Sequence, residues 1–175
     1  DPIDGTGNFA AGNPPFGIMV ALADAGTTLA GWILDPLTGR LCYALLGGGS
    51  HIDGQAVRAK ESGGDLPVAA LAVYFMTAEE RADIQRRAEG AFAVVDIPRC
   101  AAEQYPRLVL GQNDVSVFAR TLPWDHAAGT LFVNEAGGCC QRLDGSPYLV
   151  GDMRRGLLGA SSPRLWERAT QQLFS

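Results

Sequence analysis

The chain has 175 residues, of which 47% are hydrophobic and 19% charged, and its formal net charge is −5 at pH 7. This composition excludes a wholly disordered chain, no apolar run is long enough to span a membrane, and the acidic balance argues against a nucleic-acid-binding surface. Four cysteines without a C-x-x-C pair disfavour a zinc site, so reduced thiols in a cytoplasmic protein are the expectation.

The chain opens on two carboxylates three residues apart, in the segment Asp1-Pro2-Ile3-Asp4-Gly5-Thr6. Pro2 favours an extended Asp1 and Gly5 permits a sharp turn, so a strand end running into a tight loop is predicted. The two carboxylates and the Ile3 carbonyl then form an oxygen set that suits Mg²⁺. The backbone N–H groups of Gly5 and Thr6 are candidate donors to a phosphate oxygen. The alternative from the same residues is an Asx turn on the surface.

An antiparallel β region is predicted next, with strands at residues 17–25, 28–34 and 41–46. The run Gly47–Ser50 predicts a bend or bulge; a phosphate cradle is disfavoured because no Gly-Lys-Ser/Thr follows it and no helix opens after it. A short hairpin turn is predicted at residues 51–55.

The polar stretch at residues 61–67 contains two glycines and a proline and predicts a subdomain boundary. Residues 1–64 are then the C-terminal part of a β-rich subdomain, and residues 65–175 form an α/β subdomain. The overall prediction is a layered α+β fold.

Helices and strands alternate in the second part. The predicted helices cover residues 77–91, 101–110, 123–135 and 163–174, and the predicted strands cover residues 68–75, 93–97, 115–120, 139–142, 148–150 and 157–160. Pro106 is expected to lie within about a turn of the start of its helix.

A second acidic motif, Trp124-Asp125-His126-Ala127-Ala128-Gly129, opens the third predicted helix. The helix dipole favours Asp125 in the first turn, and the small residues allow another backbone to approach closely. Asp125 is therefore a candidate third carboxylate, with a helix cap as the alternative. For His126, a solvated or hydrogen-bonded side chain is favoured over a metal ligand.

The two motifs, together with Glu135-Ala136-Gly137-Gly138, resemble the signatures of the inositol monophosphatase family of Mg²⁺-dependent phosphomonoesterases. With Pro14-Pro15-Phe16 and Asp35-Pro36, the resemblance covers essentially all 175 residues. It implies a layered αβαβα fold, usually dimeric, with metals between the motifs. Asp1 would bridge two metals, Ile3 would add its carbonyl, and Asp4 and Asp125 would hold the second metal. Thr6 would orient the attacking water, and the Gly5 and Thr6 backbone would receive the phosphate.

Substrate recognition departs from the family pattern. Ala101 lies where the family often has Gly-Ser/Thr-Ala-Ala at a substrate-contacting helix start, but Arg99 and Cys100 differ from that pattern. Phe118 stands where inositol-preferring members carry a glutamate, which weakens the case for inositol phosphate. Arg120 is a candidate for binding a second anionic group, with an unpaired surface arginine as the alternative.

The sequence therefore predicts Mg²⁺-dependent hydrolysis of a small phosphate monoester, inositol-phosphate-like or a related sugar or alcohol phosphate, by a homodimer with no nucleic-acid or membrane partner. The alternatives are phosphatases for histidinol phosphate, fructose bisphosphate or phosphoadenosine phosphate. The family's remaining acidic ligands lie upstream of the first motif, and this chain starts at Asp1. We accordingly expect an N-terminal part to be missing and this chain alone to be impaired, and a catalytically incompetent fragment or pseudoenzyme is a further alternative.

Overall fold

The computed structural model describes residues 1–175 and contains two five-stranded sheets. The first sheet is an antiparallel meander in chain order, formed by β1 (Ile18–Asp24), β2 (Thr27–Leu34), β3 (Leu41–Leu45), β4 (Gly49–Ile52) and β5 (Gln55–Val57). The three predicted strands and the hairpin turn are confirmed. The turn places Asp53 and Gly54 at φ 50° and 81°, as a two-residue turn of this kind requires.

The glycine run after β3 is only partly a bend. Gly49 and Ser50 belong to β4, so the prediction of a bend through Ser50 was wrong for these two residues. The reason is a distant partner: the Glu135 carboxylate accepts the N–H groups of Gly47 and Gly49, each at 2.9 Å. The glycines therefore do hold an anion, but it is the chain's own side chain, and the structural interpretation is the correct one.

The second sheet is mixed, with the order β7-β6-β8-β10-β9. Its strands are β6 (Val68–Ala72), β7 (Ala93–Val95), β8 (Val115–Phe118), β9 (Cys139–Gln141) and β10 (Leu157–Ala160). β6 runs parallel to β7 and β8, whereas β10 is antiparallel to β8 and β9. The predicted strand at residues 148–150 is wrong, because Val150 donates its N–H to Gly26 in the β1–β2 turn and not to this sheet.

Five helices complete the chain: α1 (Thr6–Ala10), α2 (Ala78–Ala88), α3 (Ala101–Val109), α4 (Pro123–Glu135) and α5 (Pro163–Phe174). The capping box at Thr77 and Glu80 is confirmed, as is the Ser162 N-cap of α5. Pro106 is the sixth residue of α3, and α1 was not predicted. No helix is both long and apolar enough to cross a membrane.

The elements stack in layers, which confirms the layered α+β prediction. α3 and α4 lie between the two sheets, and α2 and α5 cover the far side of the second sheet. One apolar core fills the space between the first sheet and α3/α4, and another lies between the second sheet and α2/α5. The opposite face of the first sheet exposes the side chains of Val20, Leu22 and Leu45.

The connection between the sheets is fixed by a buried acid. Asp114 accepts the N–H groups of Ser62 and Val68 at 2.8 and 2.7 Å, and also the Ser62 hydroxyl. These bonds pin residues 61–67 where the sequence places a boundary. The division of the chain into subdomains at 64/65 stays a prediction.

α4 approaches its neighbours closely because it carries small residues. A Cβ on Gly129 would lie 2.0 Å from the Tyr105 ring of α3, and a Cβ on Gly31 of β2 would lie 2.7 Å from the Ala128 Cα. The predicted close approach is thereby confirmed at Ala128 and Gly129. This packing fixes the position of the first turn of α4.

Replacing Gly129 with alanine tests this contact. We expect Gly129→Ala to lower the free energy of unfolding by about 2 kcal/mol, because the buried ring cannot move away without disturbing the core. Gly7→Ala is the matched control: Gly7 is also helical but has nothing within 4 Å of an added Cβ. Urea denaturation of both variants measures the difference, and an equal stability for the two would contradict the contact's importance.

Candidate metal and phosphate site

Three carboxylates converge from two distant parts of the chain. Asp1, Asp4 and Asp125 each offer an oxygen within 4.8 Å of the other two. The first two lie on a segment whose backbone pairs with the start of β1: Met19 donates its N–H to the Asp1 backbone carbonyl at 2.8 Å, and the backbones of Asp4 and Gly17 exchange two hydrogen bonds of 2.8 and 3.0 Å. Asp125 is the third residue of α4. The three lie in a cleft of about 930 Å³.

Asp4 is held by the start of α3. One of its oxygens, Oδ2, accepts the Ala102 N–H at 2.6 Å and the Cys100 thiol at 3.1 Å. Burial, and after it the Asp4 carboxylate, raises the pKa of Cys100, so the thiol stays protonated and acts as a donor. The other Asp4 oxygen, Oδ1, accepts no hydrogen bond and is available to a ligand.

Asp1 combines both interpretations of its motif. Its Oδ1 accepts the Ile3 N–H at 2.9 Å, which is the Asx turn, while its Oδ2 has no donor. The Ile3 carbonyl accepts no hydrogen bond within the protein. The turn therefore orients Asp1 and leaves an oxygen free.

Asp125 does not cap its helix. Leu122 is the N-cap residue, and no group of the protein donates to the Asp125 side chain. Burial and the neighbouring Asp4 carboxylate raise the pKa of Asp125, and Arg120 opposes them. Like-charged carboxylates that are removed from water and have donor-free oxygens are costly, and a hard cation is the partner that suits those oxygens. The residues present thus fit a divalent metal.

His126 is structural, as the sequence favoured. It is buried, and burial lowers its pKa to about 3, so it is neutral. Its Nε2 lies 3.0 Å from the Arg120 carbonyl, and its Nδ1 lies 2.7 Å from the Tyr105 hydroxyl. Because a carbonyl only accepts, Nε2 carries the proton and Nδ1 accepts from tyrosine.

The predicted phosphate-binding residues line the same cleft. Gly5 adopts φ 80°, where an added Cβ would lie 3.0 Å from the Pro15 carbonyl. The N–H groups of Gly5 and Thr6 donate to no acceptor in the protein, and both residues face the cleft. Ala101, the first residue of α3, lines it too.

Sequence reasoning missed the opposite wall of the cleft. Tyr74 and Phe75 follow β6, and they contact Arg99 and Arg120 respectively. The available signal was topological: side chains that follow neighbouring parallel strands meet at one edge of the sheet. The role of Asn8 was also not predicted. Its side-chain amide donates hydrogen bonds to the Pro15 and Pro98 carbonyls at 2.7 and 2.9 Å, and so connects α1 to the loop before α3.

The sequence profile of the inositol monophosphatase family matches residues 1–174. The chain belongs to this family. It is 32% identical over 193 aligned residues to the chloroplastic phosphatase IMPL1 of Arabidopsis thaliana, covering 100% of this chain and 51% of that relative. It is 28% identical to an inositol-1-monophosphatase of Bacillus subtilis, covering 85% of this chain and 57% of that protein.

A solved structure of an inositol monophosphatase from Zymomonas mobilis shares the fold. Its TM-score is 0.88 at 22% identity, and the match covers 99% of this chain and 68% of that one. The chain thus spans about half the length of the curated relatives it matches. The family is metal-dependent, and in this member the acidic residues cluster.

We expect Asp125 to contribute to ligand binding and not to the stability of the fold. In metal-free buffer we expect Asp125→Asn to leave the melting temperature unchanged or to raise it, because the substitution removes a carboxylate whose raised pKa reports an unfavourable charge. Asp114→Asn should instead cost about 2 kcal/mol, because it loses charge-assisted bonds from buried donors. Calorimetry with a chelator present compares them; equal destabilisation would assign Asp125 a structural role.

Proposed function

We propose that the protein is a Mg²⁺-dependent phosphomonoesterase acting on a small phosphorylated metabolite. The observation that carries the proposal is the meeting of Asp1, Asp4 and Asp125 within 4.8 Å, with donor-free oxygens turned to one cleft. Divalent metal at such a site supplies an activated water and neutralises charge on the leaving group.

The chain's own residues divide the remaining tasks. Asp1, the Ile3 carbonyl, Asp4 and Asp125 would hold the metals. The bond from the Ala102 N–H keeps Asp4 in one orientation, so its free oxygen needs no reorganisation on binding.

The phosphate would lie between the metals and α1. The donor-free N–H groups of Gly5 and Thr6 bind its oxygens, and the Thr6 hydroxyl orients the water for attack. Ala101 at the start of α3 contacts the alcohol portion of the substrate. Proton transfer from the water needs an acidic partner for Thr6, which the resemblance places upstream of Asp1.

The substrate class, the assembly and the location of the protein are inferred with the help of its relatives. Proteins named as histidinol-phosphatase in Chlorobaculum parvum and as fructose-1,6-bisphosphatase/inositol-1-monophosphatase in Thermotoga maritima match this chain at 30% and 32% identity. We infer a phosphate monoester from this range as substrate, a homodimer as the assembly, and a cytoplasmic location, which the four free cysteines support.

Phosphate release tests the proposal. With the full-length protein and glycerol 2-phosphate, we expect release that requires Mg²⁺ and falls at least about a hundredfold in Asp125→Asn, because a metal ligand is lost. Asp24→Asn, which changes an exposed aspartate on β1, is the matched control and should keep full activity. Undiminished Mg²⁺-dependent turnover by Asp125→Asn would sink the assignment of this residue.

The pseudoenzyme alternative makes a different prediction. It predicts no phosphate release from glycerol 2-phosphate, histidinol phosphate or fructose 1,6-bisphosphate, even when the upstream segment is present. Phosphate release separates the cases, whereas titration calorimetry with Mg²⁺ does not, because a chain that has lost catalysis but keeps the ligands still binds the metal.

A further inference from the structure

Two arginines lie in the cleft without the partner that arginines in this protein usually have. Eight arginines form ion pairs with carboxylates, but Arg99 and Arg120 are in none. Both line the cleft that contains the three aspartates. In a chain of net charge −5, two unpaired guanidinium groups in one cleft indicate a site for negative charge.

The second sheet places these arginines on either side of an aromatic pair. The strand order is β7-β6-β8, and the three strands run parallel. Arg99 follows β7, Tyr74 and Phe75 follow β6, and Arg120 follows β8. All four side chains therefore emerge at the same edge, where open α/β sheets bind ligands.

Aromatic contacts fix both guanidinium groups while leaving donors free. The Arg99 guanidinium carbon lies 4.8 Å from the Tyr74 ring centroid, and its Nε donates to the Tyr74 hydroxyl at 2.6 Å. The Arg120 guanidinium carbon lies 3.9 Å from the Phe75 ring centroid, and its side chain donates to no protein group. Stacked arginines keep their N–H groups for bidentate contacts with phosphate or carboxylate.

The backbone of Phe75 and Arg120 is itself held in place by hydrogen bonds. Arg155 donates to the Phe75 carbonyl and lies 3.6 Å from Glu80, while neutral His126 holds the Arg120 carbonyl at 3.0 Å. The backbone of the Phe75–Arg120 pair is thus tied to α2 through Arg155 and to α4 through His126. Such support lowers the entropy lost when an anion binds.

Arg99 occupies a strained backbone position. Its φ is 55°, in the left-handed region that favours glycine. The other non-glycine residues with positive φ, Ala25 and Asp53, lie in tight hairpin turns, whereas Arg99 precedes a helix. A long charged side chain at a strained position beside a cleft indicates that the side chain is kept for binding.

We propose that Arg99 and Arg120 form a second anion subsite, so that the substrate is a phosphate monoester carrying a further phosphate or carboxylate group. This inference rests on the proposed function for the position of the reacting phosphate. The aspartate side of the cleft takes that phosphate with its metals, and the arginine wall takes the second group.

Non-hydrolysable probes test the subsite separately from turnover. Titration calorimetry with Mg²⁺ compares hexane-1,6-bisphosphonate with hexylphosphonate, whose flexible chains let the second group find the arginines. We expect the two-anion probe to bind at least about tenfold more tightly, as charge-assisted bonds contribute. The same assay with 6-phosphonohexanoate shows whether the second group is a carboxylate or a phosphate.

Variants assign the effect to the two arginines. Arg99→Gln and Arg120→Gln should each reduce the ratio of the two affinities severalfold or more, whereas Arg58→Gln, an equal charge change at an exposed arginine outside the cleft, should preserve it. Equal affinity of the native protein for both probes, or an unchanged ratio in both cleft variants, overturns the subsite. Absence of Mg²⁺-dependent phosphate release from both glycerol 2-phosphate and fructose 1,6-bisphosphate would instead refute the phosphatase assignment, and the affinity ratios of the non-hydrolysable probes could still be measured.

Arg99→Gly separates binding from folding. Glycine accepts the observed φ without strain, so its melting temperature should equal or exceed that of the native protein while the affinity ratio falls. A clearly lower melting temperature would mean that Arg99 serves the fold, and the subsite would then be refuted for this residue.

Discussion

The close packing of α4 against α3 and the first sheet is the contact on which the site depends. Because Gly129 has no side chain, the Tyr105 ring lies directly on the helix, and Gly31 brings the sheet against Ala128. This close approach sets where the first turn of α4 lies, and therefore where Asp125 meets Asp1 and Asp4. Tyr105 extends the same contact to the cleft, since its hydroxyl bonds His126, which holds the Arg120 carbonyl. One helix contact therefore positions both walls.

Electrostatics separates the acids that serve the fold from those that serve a ligand. Asp114 and Glu135 have their oxygens filled by backbone and hydroxyl donors, and each fastens a loop. The carboxylates of the cleft are only partly satisfied, and the donors they do have orient them without neutralising them. A folded chain keeps unfavourable charge of this kind where binding compensates it. Arg99 and Arg120, across the cleft, are likewise positive charges without an ion-pair partner, which an anionic ligand would compensate.

The sequence was sufficient for what local chemistry determines. Helix caps, hairpin turns and the two acidic motifs were found because each depends on residues a few positions apart. Long-range partners account for the misses: Glu135 shapes the glycine run after β3, and Gly26 draws Val150 away from the second sheet. The short helix α1 escaped because Thr6–Ala10 offers no periodic apolar face. Arg120 was a candidate anion-binding residue from the sequence, but its meeting with Arg99 and the aromatic pair Tyr74 and Phe75 needed the strand order, which no local pattern contains. The metal ligands and phosphate donors remain predictions, supported by their convergence in one cleft.

We propose above that Asp1, Asp4 and Asp125 hold divalent metal. Anomalous diffraction from crystals of the full-length protein grown with Mn²⁺, a divalent ion that prefers the same oxygen ligands and is visible to the method, tests it most directly. We expect an anomalous peak within about 2.5 Å of carboxylate oxygens from all three aspartates. In Asp125→Asn crystals the peak should weaken or vanish. A cleft without a peak in the native protein at millimolar Mn²⁺, or a peak held by other residues, would contradict it.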